Sequence, residues 1–285
     1  MLELNMGKGD VVTDVSDDYP VPEGVRKIRW PLPSEAPAEL GHFRYIVHLA
    51  AMSSVSCSLS QVHKAYETNL MGTVSVLEYI VSVCPDARLL FISSGEVYGS
   101  SDDPMSEDAP INPYNPYGTT KATAEIAIRQ FAGNYDLDTV ISRSFPHFGP
   151  GQSEQFALPS FCRRIIAAGR EGKGTIATGN LDPVRDYLYV TDVVRAYACL
   201  LSGGTRGSVY NVCSGSGSTM RSLVETLIRI SGLELRIEVD RNLFRVTDIS
   251  TQVGSPSRLL SLGWQQQSSL ESGLTTLFEW WEARV

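Results

Sequence analysis

The sequence predicts an α/β protein built on a doubly wound parallel sheet. Three observations carry that expectation. Short apolar runs, too brief for helices, alternate with segments of helical spacing. One run, Leu89-Leu90-Phe91-Ile92, ends in Ser93-Ser94-Gly95-Glu96. It reads as a buried parallel strand whose carboxyl end presents polar side chains, the edge where open α/β sheets bind ligands. Finally, Tyr117 and Lys121 stand four apart in Asn115-Pro116-Tyr117-Gly118-Thr119-Thr120-Lys121-Ala122. On a helix beginning near Tyr117, both side chains lie on one face.

Residues 1 to 24 have the weakest pattern. Gly7 and Gly9 stand there with no apolar strand before them and no Gly-x-Gly-x-x-Gly after them. A dinucleotide site places such a loop between the first strand and first helix, where amides and the helix dipole hold the pyrophosphate. The stretch predicts a sheet lacking its first strand, Gly-rich loop and first helix, with Val11 to Val15 a remnant of the second strand. Three explanations stay open: a truncated chain, a protein that no longer binds cofactor, or an improvised phosphate site at Gly7-Lys8-Gly9.

Val25 to Trp30 alternates like a strand, and Phe43 to Ala51 reads as a buried one. His48, at the end of that run, reads as a packed, hydrogen-bonded histidine. Ser60 to Val83 has helical spacing and is closed by Pro85-Asp86. Ser100 to Asn115, rich in Ser, Asp, Pro and Asn, is a surface loop delivering Tyr117 to its helix. Tyr117 to Tyr135 is an amphipathic helix with Ala124, Ala127, Ile128 and Phe131 on one side. Thr139 to Arg143 is a strand and Gln155 to Ala168 a helix. Thr175 to Thr178 is a strand, and Gly179 to Asp186 a turn. A helix starts at Thr191-Asp192, either of which suits a cap. Ser208 to Val212 is a strand, Gly215 to Thr219 a turn, Met220 to Ser231 a helix and Leu235 to Val239 a strand. Ser269 to Trp281 is the closing helix. Trp264, Trp280 and Trp281 read as packing residues.

The 285 residues suit one large α/β domain or two smaller units. A formal net charge of −8 has the wrong sign for a nucleic-acid binder. The five cysteines are odd in number, widely spread and form no C-x-x-C pair, so neither zinc nor a disulfide framework is indicated. They read as thiols of a reducing compartment. No long apolar run or signal-peptide pattern occurs, which points to a cytoplasmic protein without a membrane partner.

Four pieces come in a telling order: Val47-His48-Leu49-Ala50-Ala51, Ser93 to Gly99, Tyr117 to Lys121, and Arg143 to Gln152. In this the sequence resembles the extended short-chain dehydrogenases/reductases, the NAD-dependent epimerase/dehydratase family. Gly179 to Asp186 and Val209 to Gly215 resemble its GDP-mannose branch, the GDP-mannose 4,6-dehydratases and GDP-4-dehydro-6-deoxy-mannose reductases. The resemblance runs from about Val25 to the C-terminus.

It implies a Rossmann-like domain over 1–150 and 186–212, and a smaller substrate-binding α/β subdomain over 151–185 and 213–285. It implies an NADP or NAD cofactor near Leu49, Ala50, Ala51, Asn69, Ser93, Tyr117, Lys121 and His147. Asn69 matches a family Asn that ties its helix to the catalytic strand. Arg185 and Arg245 would clamp the diphosphate of a nucleotide sugar, GDP-linked by resemblance, since guanidinium matches phosphate bidentately. The Ser60–Val83 and Tyr117–Tyr135 helices commonly pair with a second subunit, so a homodimer is expected. The sequence departs from the family at Pro31-Leu32, where an Asp is usual, at Pro146, where an Asn is usual, and at Val246, where a Pro is usual.

The expected catalytic set is Ser94, Glu96, Tyr117 and Lys121, with no metal. Tyr117 exchanges a proton with the sugar 4-oxygen, and Lys121 lowers the phenol's pKa from its free value of about 10. Ser94 orients the same oxygen. Glu96 is either the base of a dehydratase or a sugar ligand in a reductase. Gly95 offers no acid for departing water, which favours the reductase. A dehydratase comes second and an epimerase third. An inactive binding or scaffold subunit, or an incomplete gene product, is the alternative of another class.

Overall fold

The computed structural model describes residues 11–14, 23–244 and 249–285. In chain order the elements are β1 (Val11–Asp14), β2 (Arg26–Arg29), β3 (Tyr45–His48), α1 (Val55–Ser60), α2 (Val62–Tyr66), α3 (Gly72–Val83), β4 (Arg88–Ser94), α4 (Pro116–Tyr135) and β5 (Asp138–Ser144). Next come β6 (His147–Phe148), α5 (Ala157–Arg170), β7 (Thr175–Thr178), β8 (Val184–Asp186), β9 (Leu188–Tyr189), α6 (Val190–Gly203) and β10 (Val209–Val212). The chain closes with β11 (Gly217–Thr219), α7 (Met220–Ser231), β12 (Arg236–Val239), β13 (Thr251–Gln252), α8 (Ser257–Ser261) and α9 (Leu270–Glu282).

The chain forms two compact units. The first holds residues 1–97, 111–143 and 197–210. Its main sheet has the order β10-β5-β4-β3, and β1 pairs with β2 in a separate parallel ribbon. β3 and β4 run parallel, with His48 opposite Phe91. Both strands therefore end on the same side, the requirement for a site at their carboxyl edge. β4 is buried along nearly its whole length, as its unbroken apolar run requires. The core beneath it joins Leu89 and Phe91 to Leu77 and Ile80 of α3 and to Ala124 and Ile128 of α4.

The helix expected over Ser60 to Val83 forms, but not as one uniform rod. Residues 67–71 make a π turn between α2 and α3. Such wide turns re-aim the side chains that follow them. β3 corrects the expectation of a buried strand. It is the last strand of its sheet among the described residues, Tyr45 is 47% exposed, and of its four residues only His48 is buried. An apolar run shows that a segment is a strand, but not whether neighbours flank it on both sides.

The second unit holds residues 98–110, 144–196 and 211–285. Three small sheets, β11-β8-β13, β12-β7 and β6-β9, accompany α5, α7 and α9, which pack on one another. Phe148, Leu158, Ile165, Leu223, Leu227, Leu274 and Phe278 fill this core. Gly217 to Thr219, expected to lie in a turn, form β11, because Val184 to Asp186 offer an antiparallel partner. Asp192 does not cap its own helix. Its buried carboxylate accepts the Gln267 and Ser268 amides at 2.8 and 3.0 Å, tying α6 to the segment before α9. Trp264 is buried and donates to the Asp192 carbonyl at 3.1 Å. The five cysteines are free thiols.

The expected absence of the first strand and glycine loop concerns residues 1–22, which lie outside the described residues except for the β1 backbone. No described helix is long and apolar enough to cross a membrane.

Candidate active site

α4 starts where its sequence dictates. Pro116 occupies the first turn, where its missing N–H costs nothing. Asn115 caps it, accepting from the Gly118 amide at 2.8 Å. The Asn115 amide nitrogen also donates to Glu96 Oε2 at 2.7 Å. One buried side chain thus joins the helix start to the turn that follows β4. Gly118 makes the approach possible, since a Cβ there would lie 2.5 Å from the Glu96 carbonyl oxygen.

This geometry brings the four expected catalytic residues together. Ser94 closes β4, and its hydroxyl lies where it favours the ionised Tyr117 phenol. Ser94 Oγ also accepts from the Glu96 amide at 3.2 Å. Lys121, one turn beyond Tyr117, is buried. Its ammonium donates to the Ile92 carbonyl at 2.7 Å and sits 4.8 Å from the centre of the Phe91 ring.

The electrostatics correct one expectation. The Tyr117 phenol is not acidified but pushed up to about 12. Burial disfavours the phenolate, the Ser94 hydroxyl opposes this, and the Glu96 charge adds to it. Lys121 is pushed down to about 7 by burial, with Glu125 pulling the other way. Desolvation, which the sequence argument left out, is the largest cause of both shifts.

The expected cofactor residues divide. Leu49 and Ala50 lie just past β3 and are exposed, Leu49 by 54%. With Ala51 they leave the sheet at the same end as Ser94. Their small or exposed side chains leave room at that sheet edge for the ribose and nicotinamide half of a dinucleotide. Asn69 and Ser93 face inward. Asn69 accepts from the Met52 amide at 2.7 Å and donates to the Met52 carbonyl and to Thr120 Oγ1 at 3.2 and 2.9 Å. It ties the π turn to the segment after β3 and to α4, rather than to β4. Ser93 Oγ donates to Glu125 Oε1 at 2.6 Å. His48 is the packed histidine expected, 3.0 Å from Thr73 Oγ1 and held neutral by a pKa lowered to about 3.

His147 and Arg185 belong to the second unit. His147 Nδ1 lies 3.1 Å from the Phe145 carbonyl, and burial lowers its pKa. Arg185 lies on β8 and lines a cavity of about 380 Å³ together with Glu154, Arg164, Asn180 and Tyr187. Its neighbour Asp186 is fully buried and occupied elsewhere, accepting from the amides of Ser214 and Gly215 at 2.8 and 2.9 Å and from Ser214 Oγ at 2.5 Å. Arg245 lies outside the described residues.

Two residues escaped the sequence reading. Asn115 was signalled by its place before Pro116 at the helix start. Glu125 was signalled by the continuing spacing of four in Tyr117, Lys121, Glu125 and Arg129.

A family model described as GDP-mannose 4,6 dehydratase matches residues 40–277. The chain is 34% identical to GDP-6-deoxy-D-mannose reductase of Pseudomonas aeruginosa over 246 residues, 84% of this chain and 81% of that protein. It is 32% identical to the low-salt glycan biosynthesis protein Agl12 of Haloferax volcanii, covering 83% and 74% of the two chains. Among solved structures, RMD from Pseudomonas aeruginosa complexed with NADPH superposes with a TM-score of 0.80 at 31% identity, covering 91% of each chain. With the hydroxyl, phenol and ammonium gathered at one sheet edge, these matches place the chain in the GDP-mannose 4,6 dehydratase family, a branch of the NAD(P)-dependent epimerases and dehydratases that act on nucleotide sugars.

Proposed function

We propose that the protein is a nucleotide-sugar 4-reductase that takes GDP-4-dehydro-6-deoxy-mannose as substrate, with NADP or NAD as cofactor. One observation carries the reading: Ser94 at the end of β4 and Tyr117 and Lys121 on the first turns of α4 are gathered at one sheet edge, where burial raises the phenol's pKa. A carbonyl reduction ends with a proton delivered to a forming alkoxide, so its acid must be protonated at rest. A dehydratase begins by oxidising an alcohol and needs the phenolate.

The nicotinamide supplies the hydride when bound. Leu49, Ala50, Ala51 and Lys121 would hold it. Tyr117 gives its proton to the sugar 4-oxygen, and Ser94 donates a second hydrogen bond to that oxygen as charge develops there. Lys121 places a positive charge beneath the phenol. Arg185, in its cavity, binds the diphosphate. Glu96, held by Asn115, accepts from a sugar hydroxyl. Identity to a named GDP-6-deoxy-D-mannose reductase supports the GDP-sugar assignment.

A homodimer through α3 and α4 accompanies this reading. Ile126 on α4 is 60% exposed, and Val62, Met71 and Val83 are exposed along the helical segment from α2 to α3.

Glu96 is the observation that favours a second reading, the dehydratase, since its carboxylate is half-buried beside the phenol. Two incubations separate the two. GDP-4-dehydro-6-deoxy-mannose with NADPH is expected to give the 6-deoxy sugar nucleotide with loss of nicotinamide absorbance. GDP-mannose with NADP alone is expected to remain unchanged by mass. Loss of water from GDP-mannose would establish the dehydratase. Neither reaction, together with no saturable binding of NADPH or NADH, would demote both readings in favour of a binding subunit.

A further inference from the structure

We infer that Arg164 selects the nucleotide: its guanidinium fork reads the O6 and N7 acceptors of a guanine bound in the cavity that Arg185 also lines. This rests on the reading of that cavity as the nucleotide-sugar site, and it names what chooses the base there.

The cavity lies wholly within the second unit. Ala157, Ser160, Phe161 and Arg164 of α5 line it and recur at helical spacing, so one face of the helix is turned to it. Phe161 and Met220 are buried there, and Leu243 adds a third apolar surface. Gly179 admits Leu243, since a Cβ at Gly179 would lie 2.6 Å from the Leu243 carbonyl oxygen. Apolar surfaces with a few polar groups among them suit a flat base, whereas a phosphate needs donors and no apolar wall. The two guanidinium groups divide accordingly. Arg185 comes from β8, and Arg164 stands three residues from the Phe161 ring on α5.

Arg164 is exposed, and its Nη1 donates to the Ala177 carbonyl of β7 at 3.0 Å, which orients the group. A guanidinium carries five N–H donors in a fixed fork, so Nε and Nη2 can serve a second partner. Glu154, the carboxylate that lines the cavity, pairs with Arg163, which does not line it. Among the described residues no carboxylate pairs with Arg164. Guanine meets such a fork with two adjacent acceptors, O6 and N7. Adenine sets an amino donor beside its N7, which opposes a guanidinium, and the pyrimidines have no N7.

Calorimetric titration with nucleotides alone, without cofactor or turnover, tests this. The parent protein is expected to bind GDP about 5- to 100-fold more tightly than UDP. It is expected to bind GDP about tenfold more tightly than 7-deaza-GDP, in which a C–H group replaces N7. Arg164→Lys keeps the charge and loses the fork, and Arg164→Met loses both. At an exposed position either change costs the fold little. In both variants GDP and 7-deaza-GDP are expected to bind within about twofold of each other. Arg185→Met is expected to weaken GDP and UDP alike and to keep the parent's ratio of GDP to 7-deaza-GDP. Equal binding of these two by the parent protein would overturn the inference, whether or not any variant folds. A preference that survives in Arg164→Met, or no saturable binding of GDP, would overturn it as well. Discrimination against 7-deaza-GDP without reductase turnover would count against the reductase reading alone. Turnover of the GDP-linked substrate without that discrimination would count against the role of Arg164 alone.

Discussion

Replacing Tyr117 with Phe is expected to lower kcat about 10²- to 10⁴-fold, the usual range for loss of a positioned general acid. The change removes one oxygen and keeps the ring. Binding of the sugar nucleotide, read by calorimetry, is expected to stay within a few-fold of the parent value, because Arg185 and its cavity lie in the other unit. The contrast between kcat and binding carries the prediction. An acid used only in the transition state affects kcat, and a ring used only for packing affects neither strongly. Turnover within tenfold of the parent would remove Tyr117 from the assigned role.

The largest expected loss of stability comes from Arg143→Met. Arg143 and Glu125 form a two-pronged ion pair whose side chains are 3% and 0% exposed. Removing the guanidinium leaves a buried carboxylate with only Ser93 and the half-exposed Arg129. Breaking one side of such a pair costs about 3–5 kcal/mol, mostly the uncompensated charge. For a chain of this size that corresponds to a melting temperature lower by roughly 10 °C. Arg229→Met is the control. Its pair with Glu271 is about 60% exposed on both sides, where the contribution is about 0–1 kcal/mol. Equal melting shifts in the two variants would contradict this assessment of the buried pair.

Much of the fold was legible because its signals are local. The apolar run of β4 and the four-residue spacing of α4 are both properties of neighbouring residues. The gathering of Ser94, Tyr117 and Lys121 followed from them, because a parallel strand's carboxyl edge and the first turn of the helix packed on it are brought together. What escaped is nonlocal. Arg143 and Glu125 are 18 positions apart on different elements, and neither residue alone signals an ion pair. The exposure of β3 depends on strand order, which an apolar run does not encode. The direction of the Tyr117 shift was misjudged for the same reason. Its neighbour Lys121 can be read from the sequence, whereas desolvation depends on everything packed around the ring.

The reading as a carbonyl reductase with a phenolic acid is tested most directly by isotope transfer. The protein would be supplied with GDP-4-dehydro-6-deoxy-mannose and NADPH carrying deuterium at the transferable nicotinamide position. The account predicts one deuterium at sugar C4 of the product, and its loss together with turnover in Tyr117→Phe. Product without deuterium at C4, or deuterium transfer undiminished in Tyr117→Phe, would contradict it.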